Sequence, residues 1–367
     1  MKSRMITAST SSAGLWPGGI NVRGAGYAAV TVWFGLLICG LIPDALALPT
    51  ADELLKQLNI SARDQQGIRE GQIVTWTASE GSDRELAFGM ALLAKTKGEN
   101  IVQLFREASA FQTIEAGLTA HGKITGGGVL DDFADVRLEP NGKEEALRYL
   151  EAEPGDVLNL EAEEIAAYRS LKSAVKGEVV PVQKVEGLIR QGLLARYQAY
   201  KTKGLAGIAP YERASRQRLL AGDELTLATK QAKLVAKYLP SVYDAMSNYP
   251  IVKTQEGEAA EEQYYWLNVE LSGRPLYVLS HRMLFRVGEA YAVLDRHFYS
   301  SHDYNCLQQG LVALPTDDGM LITYLRRVST DQVAGFGSKV KHPVARALMV
   351  SPIKGLLEAL RAKAETQ

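Results

Sequence analysis

Apolar and polar residues alternate from Tyr277 to Tyr299, and this pattern predicts a β-hairpin. Period-two alternation in a stretch rich in β-branched and aromatic residues is typical of strands, and Gly288-Glu289 suits a two-residue turn between them. If the strands pair directly on either side of this turn, Arg282 stands opposite Asp295, which is a favourable cross-strand pair. A shift of one residue would lose that pair, so the turn and the charges support the same register.

One face of the predicted hairpin is apolar except for His281 and Arg296, which fall opposite each other. A buried arginine keeps its charge, so it needs either a partner from the protein or an opening to water. Two interpretations follow. Either protein groups satisfy the pair internally, as they do most buried polar groups, or the pair contacts the polar end of a ligand in a cavity. In the second interpretation the apolar wall of the cavity consists of Leu279, Met283, Phe285, Leu294 and Phe298, with Leu279 opposite Phe298.

The hairpin belongs to a run of five predicted strands separated by turn sequences. The five strands are Tyr265–Leu271, Leu276–Val287, Ala290–Tyr299, Cys306–Leu314 and Met320–Val328. A sheet of successive antiparallel hairpins must cover its apolar face. The amphipathic segment that follows Pro352 predicts a C-terminal helix, and this helix is the available cover.

Upstream of the strands, the pattern is mainly helical with a small β element. We predict a helix over Ala51–Glu70 and a short strand over Gln72–Thr77. Ser82 and Glu85 match a capping box and predict a helix from there to Lys95, and a further helix follows over Ile101–Ile114. Gly126-Gly127-Gly128 lies in the middle of Leu118–Leu138, which predicts a loose hairpin. Helical segments then follow one another from Lys143 to Leu239.

The polar, acidic stretch Lys253–Glu262 predicts a surface loop, which we take as the approximate domain boundary. The sequence therefore predicts an α+β protein of two domains. An α-rich domain with a small β element covers residues 48–250, and an antiparallel sheet closed by a C-terminal helix covers residues 251–367.

The segment from about Tyr249 to Ala364 resembles the helix-grip fold of START-like lipid-binding proteins. The resemblance covers about a third of the chain and depends on the order of the elements and on the closing helix after Thr330–Gly337, without a matched residue motif. It implies a hydrophobic ligand held between the sheet and the C-terminal helix.

Residues 1–47 have the features of a signal peptide. Basic residues precede an uncharged apolar run from Ala25 to Ile42, and Ala45-Leu46-Ala47 follows as an A-x-A cleavage signal. We expect cleavage after Ala47 and a periplasmic or secreted mature protein. An uncleaved inner-membrane anchor is the alternative, because the run nearly reaches the ~20 residues that a spanning helix needs.

Charge and cysteine content exclude several functional classes. The net charge of −1 provides no overall field for nucleic acid, and no cofactor motif is present. Cys39 leaves with the signal peptide, so Cys306 has no partner for an intramolecular disulfide. In a strand pattern, a lone cysteine favours a small buried hydrophobic residue over a nucleophile.

Histidine and aspartate residues in the strand region suggest two kinds of chemistry. In the proposed register His281 and His297 point to opposite faces, and no metal-ligand spacing is present, so we predict no metal site. A hydrolase site built from His297, His302 and either Asp295 or Asp303 is an alternative function. Adjacent residues rarely adopt triad geometry, and a hydrogen-bonding turn also explains Ser300-Ser301-His302-Asp303.

The segment from Lys339 to Gln367 is basic, with six Lys and Arg against two Glu. A basic amphipathic helix can contact an anionic membrane surface, and it can equally be the solvated side of a packed helix. From the sequence we predict an exported, non-catalytic protein that binds a hydrophobic or amphipathic small molecule, lipids included, without a cofactor. A hydrolase and an envelope interaction module with a filled sheet–helix interface are the alternatives.

Overall fold

A computed structural model describes residues 48–107, 117–175, 180–255 and 257–367 of the chain. The predicted signal peptide, its cleavage site and the end of the predicted helix at 101–114 lie outside these residues. Among the described residues, no helix is long and apolar enough to cross a membrane.

Ten α-helices are described. In chain order they are α1 (Ala51–Gln57), α2 (Ala62–Arg69), α3 (Gly98–Arg106), α4 (Gly142–Leu150), α5 (Ala162–Ala174), α6 (Val182–Lys203), α7 (Ala221–Lys230), α8 (Lys233–Tyr238), α9 (Pro240–Asn248) and α10 (Ser338–Glu365). Short 3₁₀ helices span Leu130–Phe133, Gly204–Gly207, Ala214–Arg216 and Asp331–Val333. The predicted helix over Ala51–Glu70 is two helices, because Asn59 adopts a positive φ between them.

One sheet has eight strands, which are β1 (Val74–Thr77), β2 (Glu85–Ala94), β3 (Leu118–Ile124), β6 (Glu258–Leu271), β7 (Arg274–Val287), β8 (Ala290–Ser300), β9 (Cys306–Thr316) and β10 (Gly319–Ser329). Their order across the sheet is β1-β2-β10-β9-β8-β7-β6-β3. A separate pair consists of β4 (Tyr211–Glu212) and β5 (Arg218–Leu219). The predicted α+β class and the five consecutive C-terminal strands are confirmed.

The register predicted for the β7–β8 hairpin is confirmed along most of its length. Arg282 pairs with Asp295 and His281 pairs with Arg296. A β-bulge then changes the pairing, so that Leu279 stands opposite Tyr299 rather than Phe298. The extra residue of a bulge redirects the side chains that follow it.

The helix predicted over residues 82–95 is wrong, because Glu85–Ala94 is strand β2. Every residue of β2 is buried, and the strand pairs with β1 on one side and β10 on the other. A strand buried on both faces presents a continuous apolar run, which periodicity cannot distinguish from a buried helix. The hairpin predicted over 118–138 is also wrong, because β3 pairs with β6 and a 3₁₀ helix follows it.

Strands from both sides of residue 250 share the large sheet. β1, β2 and β3 belong to the segment that we expected to form a separate domain, and β6 begins inside the loop expected as the boundary. Residues 46–367 form one compact unit. The composition change near residue 250 therefore marks a change from helices to strands within one unit.

Helices cover both faces of the sheet. The C-terminal helix α10 packs with α3 against the face that carries Leu284, Val293 and Leu311. The opposite face carries Met283 and Leu294 and is covered by helices from the α-rich segment, including α9. The cavity described between the sheet and α10 measures about 30 Å³, which is room for about one water molecule.

Candidate functional site

A row of buried polar side chains crosses the centre of the sheet. Strand pairing brings Tyr264, His281, Arg296, Gln308 and Arg327 side by side on β6 to β10, and we call them the polar row. Side chains of directly paired residues point to the same face of a sheet. The row therefore lies on the face away from α10.

Hydrogen bonds to protein groups compensate the burial of the Arg296 guanidinium. Its Nε and Nη2 donate to Gln308 Oε1 at 3.1 and 2.8 Å, and Nη2 also donates to the Met246 carbonyl at 2.8 Å. Nη1 donates to the Tyr200 hydroxyl at 3.4 Å. These contacts match the first of the two interpretations, in which the pair of polar residues is satisfied internally.

His281 is enclosed by aromatic rings and is held neutral. The Tyr200 hydroxyl lies 2.9 Å from His281 Nδ1, and the Tyr264 ring stacks on the imidazole at 4.4 Å. Because Tyr200 accepts a hydrogen bond from Arg296, it donates to Nδ1, and the proton of the neutral imidazole sits on Nε2, 3.5 Å from Glu262 Oε2. Burial lowers the pKa of His281 below its ordinary value of 6.5.

A cavity of about 410 Å³ lies on the same face of the sheet, beyond Gln308 and Arg327. Helices α1, α8 and α9 cover it, and strands β8, β9 and β10 form its floor. The apolar lining includes Leu48, Leu54, Leu58, Trp76, Leu234, Val235, Leu239, Val242, Met246, Ala292, Leu294, Val312 and Leu314.

Of the seven predicted ligand-binding residues, Leu294 alone is among those that line this cavity. Leu279 and Phe298 belong to the core around Tyr200, where the Phe298 ring stacks on Tyr200 at 3.9 Å. Met283 and Phe285 belong to the core beneath α9. His281 and Arg296 sit in the polar row. The cavity is therefore displaced along the sheet from the predicted position.

Gly310 helps to create the space. It lies in the middle of β9, between Leu294 of β8 and Leu325 of β10, and it lines the cavity. A Cβ added there would contact nothing closer than the Val293 carbonyl oxygen at 3.5 Å. A glycine inside a strand removes a side chain that would otherwise pack over the sheet. The missing side chain at Gly310 leaves room on the cavity floor.

Helix α8 covers the outer side of the cavity. This helix has no buried residue, and its Leu234 and Val235 are half-buried where they line the cavity. A side-chain hydrogen bond joins Gln57 of α1 to the Tyr238 hydroxyl of α8. Since Gln57 is exposed, this contact spans the solvent side of the cavity.

Arg327 supplies a polar corner to the lining. Its Nη1 donates to the Ser79 carbonyl at 2.9 Å and lies 3.2 Å from Glu85 Oε1. Glu85 is itself buried, so the two opposite charges compensate each other. The cavity is thus mainly apolar with polar groups concentrated near Arg327 and Gln308.

The residues of the hydrolase alternative make separate contacts. His297 Nδ1 lies 2.8 Å from the Tyr304 hydroxyl, and its Nε2 lies 3.8 Å from Asp295 Oδ1. His302 Nε2 donates to the Pro275 carbonyl at 3.0 Å, and its Nδ1 contacts Asp303. Neither of the two described cavities is lined by His297, His302 or Asp303.

Asp295 is a buried carboxylate on the face of the sheet that α10 covers, and hydrogen bonds from neighbouring side chains compensate its burial. Asp295 accepts from Arg282 at 2.8 Å and from Ser280 at 2.5 Å. Burial acts to raise the pKa of Asp295, but the charges of Arg282 and His297 and the hydrogen bonds from Ser280 and Arg282 together outweigh it, so the pKa is lowered. Burial also raises the pKa of the Cys306 thiol, which opposes formation of a nucleophilic thiolate.

Within the described ranges, no group of His, Cys, Asp and Glu is arranged to hold a metal ion.

The chain matches no protein family profile, no curated protein and no solved structure. The similarity to START-like proteins therefore stays a prediction from element order, and function has to be argued from the site itself.

Proposed function

We propose that this protein binds one hydrophobic or amphipathic small molecule, such as a lipid, in the cavity beneath α1, α8 and α9, and that it acts after export without catalysing a reaction. The observation that carries the proposal is the cavity of about 410 Å³. Ligand pockets generally measure about 300–1,000 Å³ and have an apolar lining with a few polar groups.

The distribution of polarity supports an amphipathic ligand. The apolar side chains of the lining, such as Leu48 and Val242, suit the hydrocarbon portion of a ligand. Gln308 and Arg327 offer polar groups at one side of the cavity. Polar groups placed at one point of an apolar pocket orient a ligand. Export is supported by the N-terminal apolar run and its A-x-A signal.

Filling the cavity from its floor tests the proposal. In Gly310→Leu the added Cβ meets only the Val293 carbonyl oxygen, at 3.5 Å, and the rest of the side chain is expected to enter the cavity, so the protein should fold and ligand binding should be lost. Gly187→Leu is the matched control, because a Cβ at Gly187 in α6 meets nothing within 4 Å and lies away from the cavity lining.

Trp76 lines the cavity and provides the readout. Full-length protein is titrated with dodecanoic acid brominated near its methyl end, because bromine quenches nearby tryptophan fluorescence. We expect saturable quenching in the natural protein and in Gly187→Leu, and its loss in Gly310→Leu. The component that disappears in Trp76→Phe identifies the cavity signal. Equal quenching of that component in folded Gly310→Leu would refute this site.

A further inference from the structure

The N-terminal half of α10 exposes an apolar stripe. Phe336 is 102% exposed, Val340 72%, Val344 57% and Leu348 73%. These four residues follow one another at intervals of four. Val340, Val344 and Leu348 lie within α10 and share one face of it, and Phe336 precedes the helix. From Val340 to Leu348 the stripe covers eight residues, or roughly 12 Å at about 1.5 Å per helical residue.

The opposite side of the same half-helix makes the polar contacts that hold it to the protein. His342 Nδ1 lies 2.7 Å from Glu80 Oε2, and Arg346 Nη1 donates to Glu80 Oε1 at 2.5 Å. His342 Nε2 also lies 3.0 Å from the Asp83 carbonyl. This orientation reverses that of an ordinary surface helix, whose apolar side faces the core. These contacts fix the helix so that the stripe faces outward.

The exposed charged side chains that this stretch of the chain itself contributes are positive. The sequence contains no Asp or Glu from residue 332 to residue 357, and Lys339, Lys341 and Lys354 are exposed there. Apolar residues on one side with lysines beside them are the composition of helices that lie in the interface of an anionic bilayer. A second copy of the chain is a poorer occupant, because a symmetric pair would bring like-charged lysines together.

We propose that the half-helix 338–350, together with Phe336, docks on the surface of a membrane that contains anionic lipid. The apolar stripe would enter the boundary between headgroups and acyl chains, and the lysines would contact the lipid phosphates. This proposal does not depend on the cavity beneath α8, which lies on the other face of the sheet.

A tryptophan reporter tests where the protein meets the lipid. Val344→Trp is placed on the stripe in the full-length chain, and Val157→Trp is the matched control, because Val157 has nearly the same exposure, 55%, and lies outside α10. Both are mixed with vesicles of phosphatidylcholine and phosphatidylglycerol that carry brominated acyl chains. The signal of the natural protein is subtracted, since the N-terminal apolar run can also bind vesicles.

We expect the vesicles to quench the fluorescence of the Val344→Trp reporter and to leave that of the Val157→Trp reporter unchanged. The quenching should be lost in a Val344→Trp protein that also carries Lys339→Glu and Lys341→Glu. Vesicles without phosphatidylglycerol should give weaker quenching. Equal behaviour of the two reporters would overturn the proposal. It would also be overturned if the stripe reporter stayed unquenched while Val344→Asp converted a dimer into a monomer, since the stripe would then be a protein interface.

Discussion

Gln308 is the residue on which the buried charge of Arg296 depends most directly, so Gln308→Leu is an informative perturbation. Gln308 Oε1 accepts two hydrogen bonds from the guanidinium, at 3.1 and 2.8 Å. Among the described residues, no carboxylate lies within ion-pair distance of Arg296 to replace them. Leucine has a similar volume, so the substitution removes the acceptor while leaving the core filled.

The expected cost follows from the number and type of bonds lost. A hydrogen bond to a charged group contributes about 1.5–3 kcal/mol, and Gln308→Leu removes two such bonds from a buried guanidinium. We therefore expect Gln308→Leu to lower the free energy of unfolding by about 3–5 kcal/mol. Arg296→Met removes the charge itself and leaves Gln308 bonded to Thr229, so we expect a smaller loss of about 1–3 kcal/mol.

A double-mutant cycle measured by urea unfolding separates these effects. The double variant Arg296→Met with Gln308→Leu should be more stable than Gln308→Leu alone, because no unpaired charge remains in the core. The reasoning is refuted if Gln308→Leu costs less than about 1 kcal/mol, or if the two single losses simply add in the double variant.

Two further predictions concern His281 and Gly122. Because burial lowers the pKa of His281, the unfolded state binds a proton more readily than the folded state does. The free energy of unfolding should therefore be highest above pH 6.5 and decline as the pH falls below that value. Chemical unfolding between pH 7 and 5 should show a weaker decline in His281→Phe, and an unchanged decline would exclude His281 as its source. A Cβ at Gly122 would lie 2.3 Å from Trp266 Nε1, which donates to the Asp132 carbonyl at 2.6 Å. Gly122→Val should therefore lower the free energy of unfolding, measured by thermal unfolding, by about 1–3 kcal/mol. A Cβ at Gly127 meets nothing within 4 Å, so the control Gly127→Val should lower it by less than half of that amount. Equal losses in the two variants would contradict this account.

The local pairing of the C-terminal strands could be predicted from sequence, because neighbours in the chain are neighbours in the sheet. The turn at Gly288 and the Arg282–Asp295 pair specify the same register, and the structure has it. The bulge at Phe298 could not be predicted, since nothing in the alternation of residues marks the extra one. Strand β2 was missed because burial on both faces hides its period.

The cavity is displaced along the sheet from the binding residues that the sequence predicts, and Leu294 alone is shared. The polar pair His281 and Arg296 correctly indicated a buried polar feature, but its partners, Tyr200 and Met246, come from distant helices. The cavity is bounded by α1, α8, α9 and three strands, and single-sequence patterns do not report which helix covers which face. Gly310, a glycine inside an apolar strand, was the available sequence signal for an unfilled position.

The basic C-terminal segment illustrates the same limit. Ile353, Leu356, Leu357 and Leu360 form the apolar side of the predicted C-terminal helix; three of them are buried and Leu356 is half-buried. Val340, Val344 and Leu348 have helical spacing too, yet they face solvent because Glu80 holds the opposite side of the helix. Spacing identifies a face, and tertiary contacts decide where that face points.

Native mass spectrometry of the protein purified from its original host tests the central claim most directly. The account predicts one co-purifying hydrophobic or amphipathic molecule on the natural protein and on Gly187→Leu, and a bare mass for folded Gly310→Leu. A bare mass for all three proteins, or the same adduct on Gly310→Leu, would contradict ligand binding in this cavity.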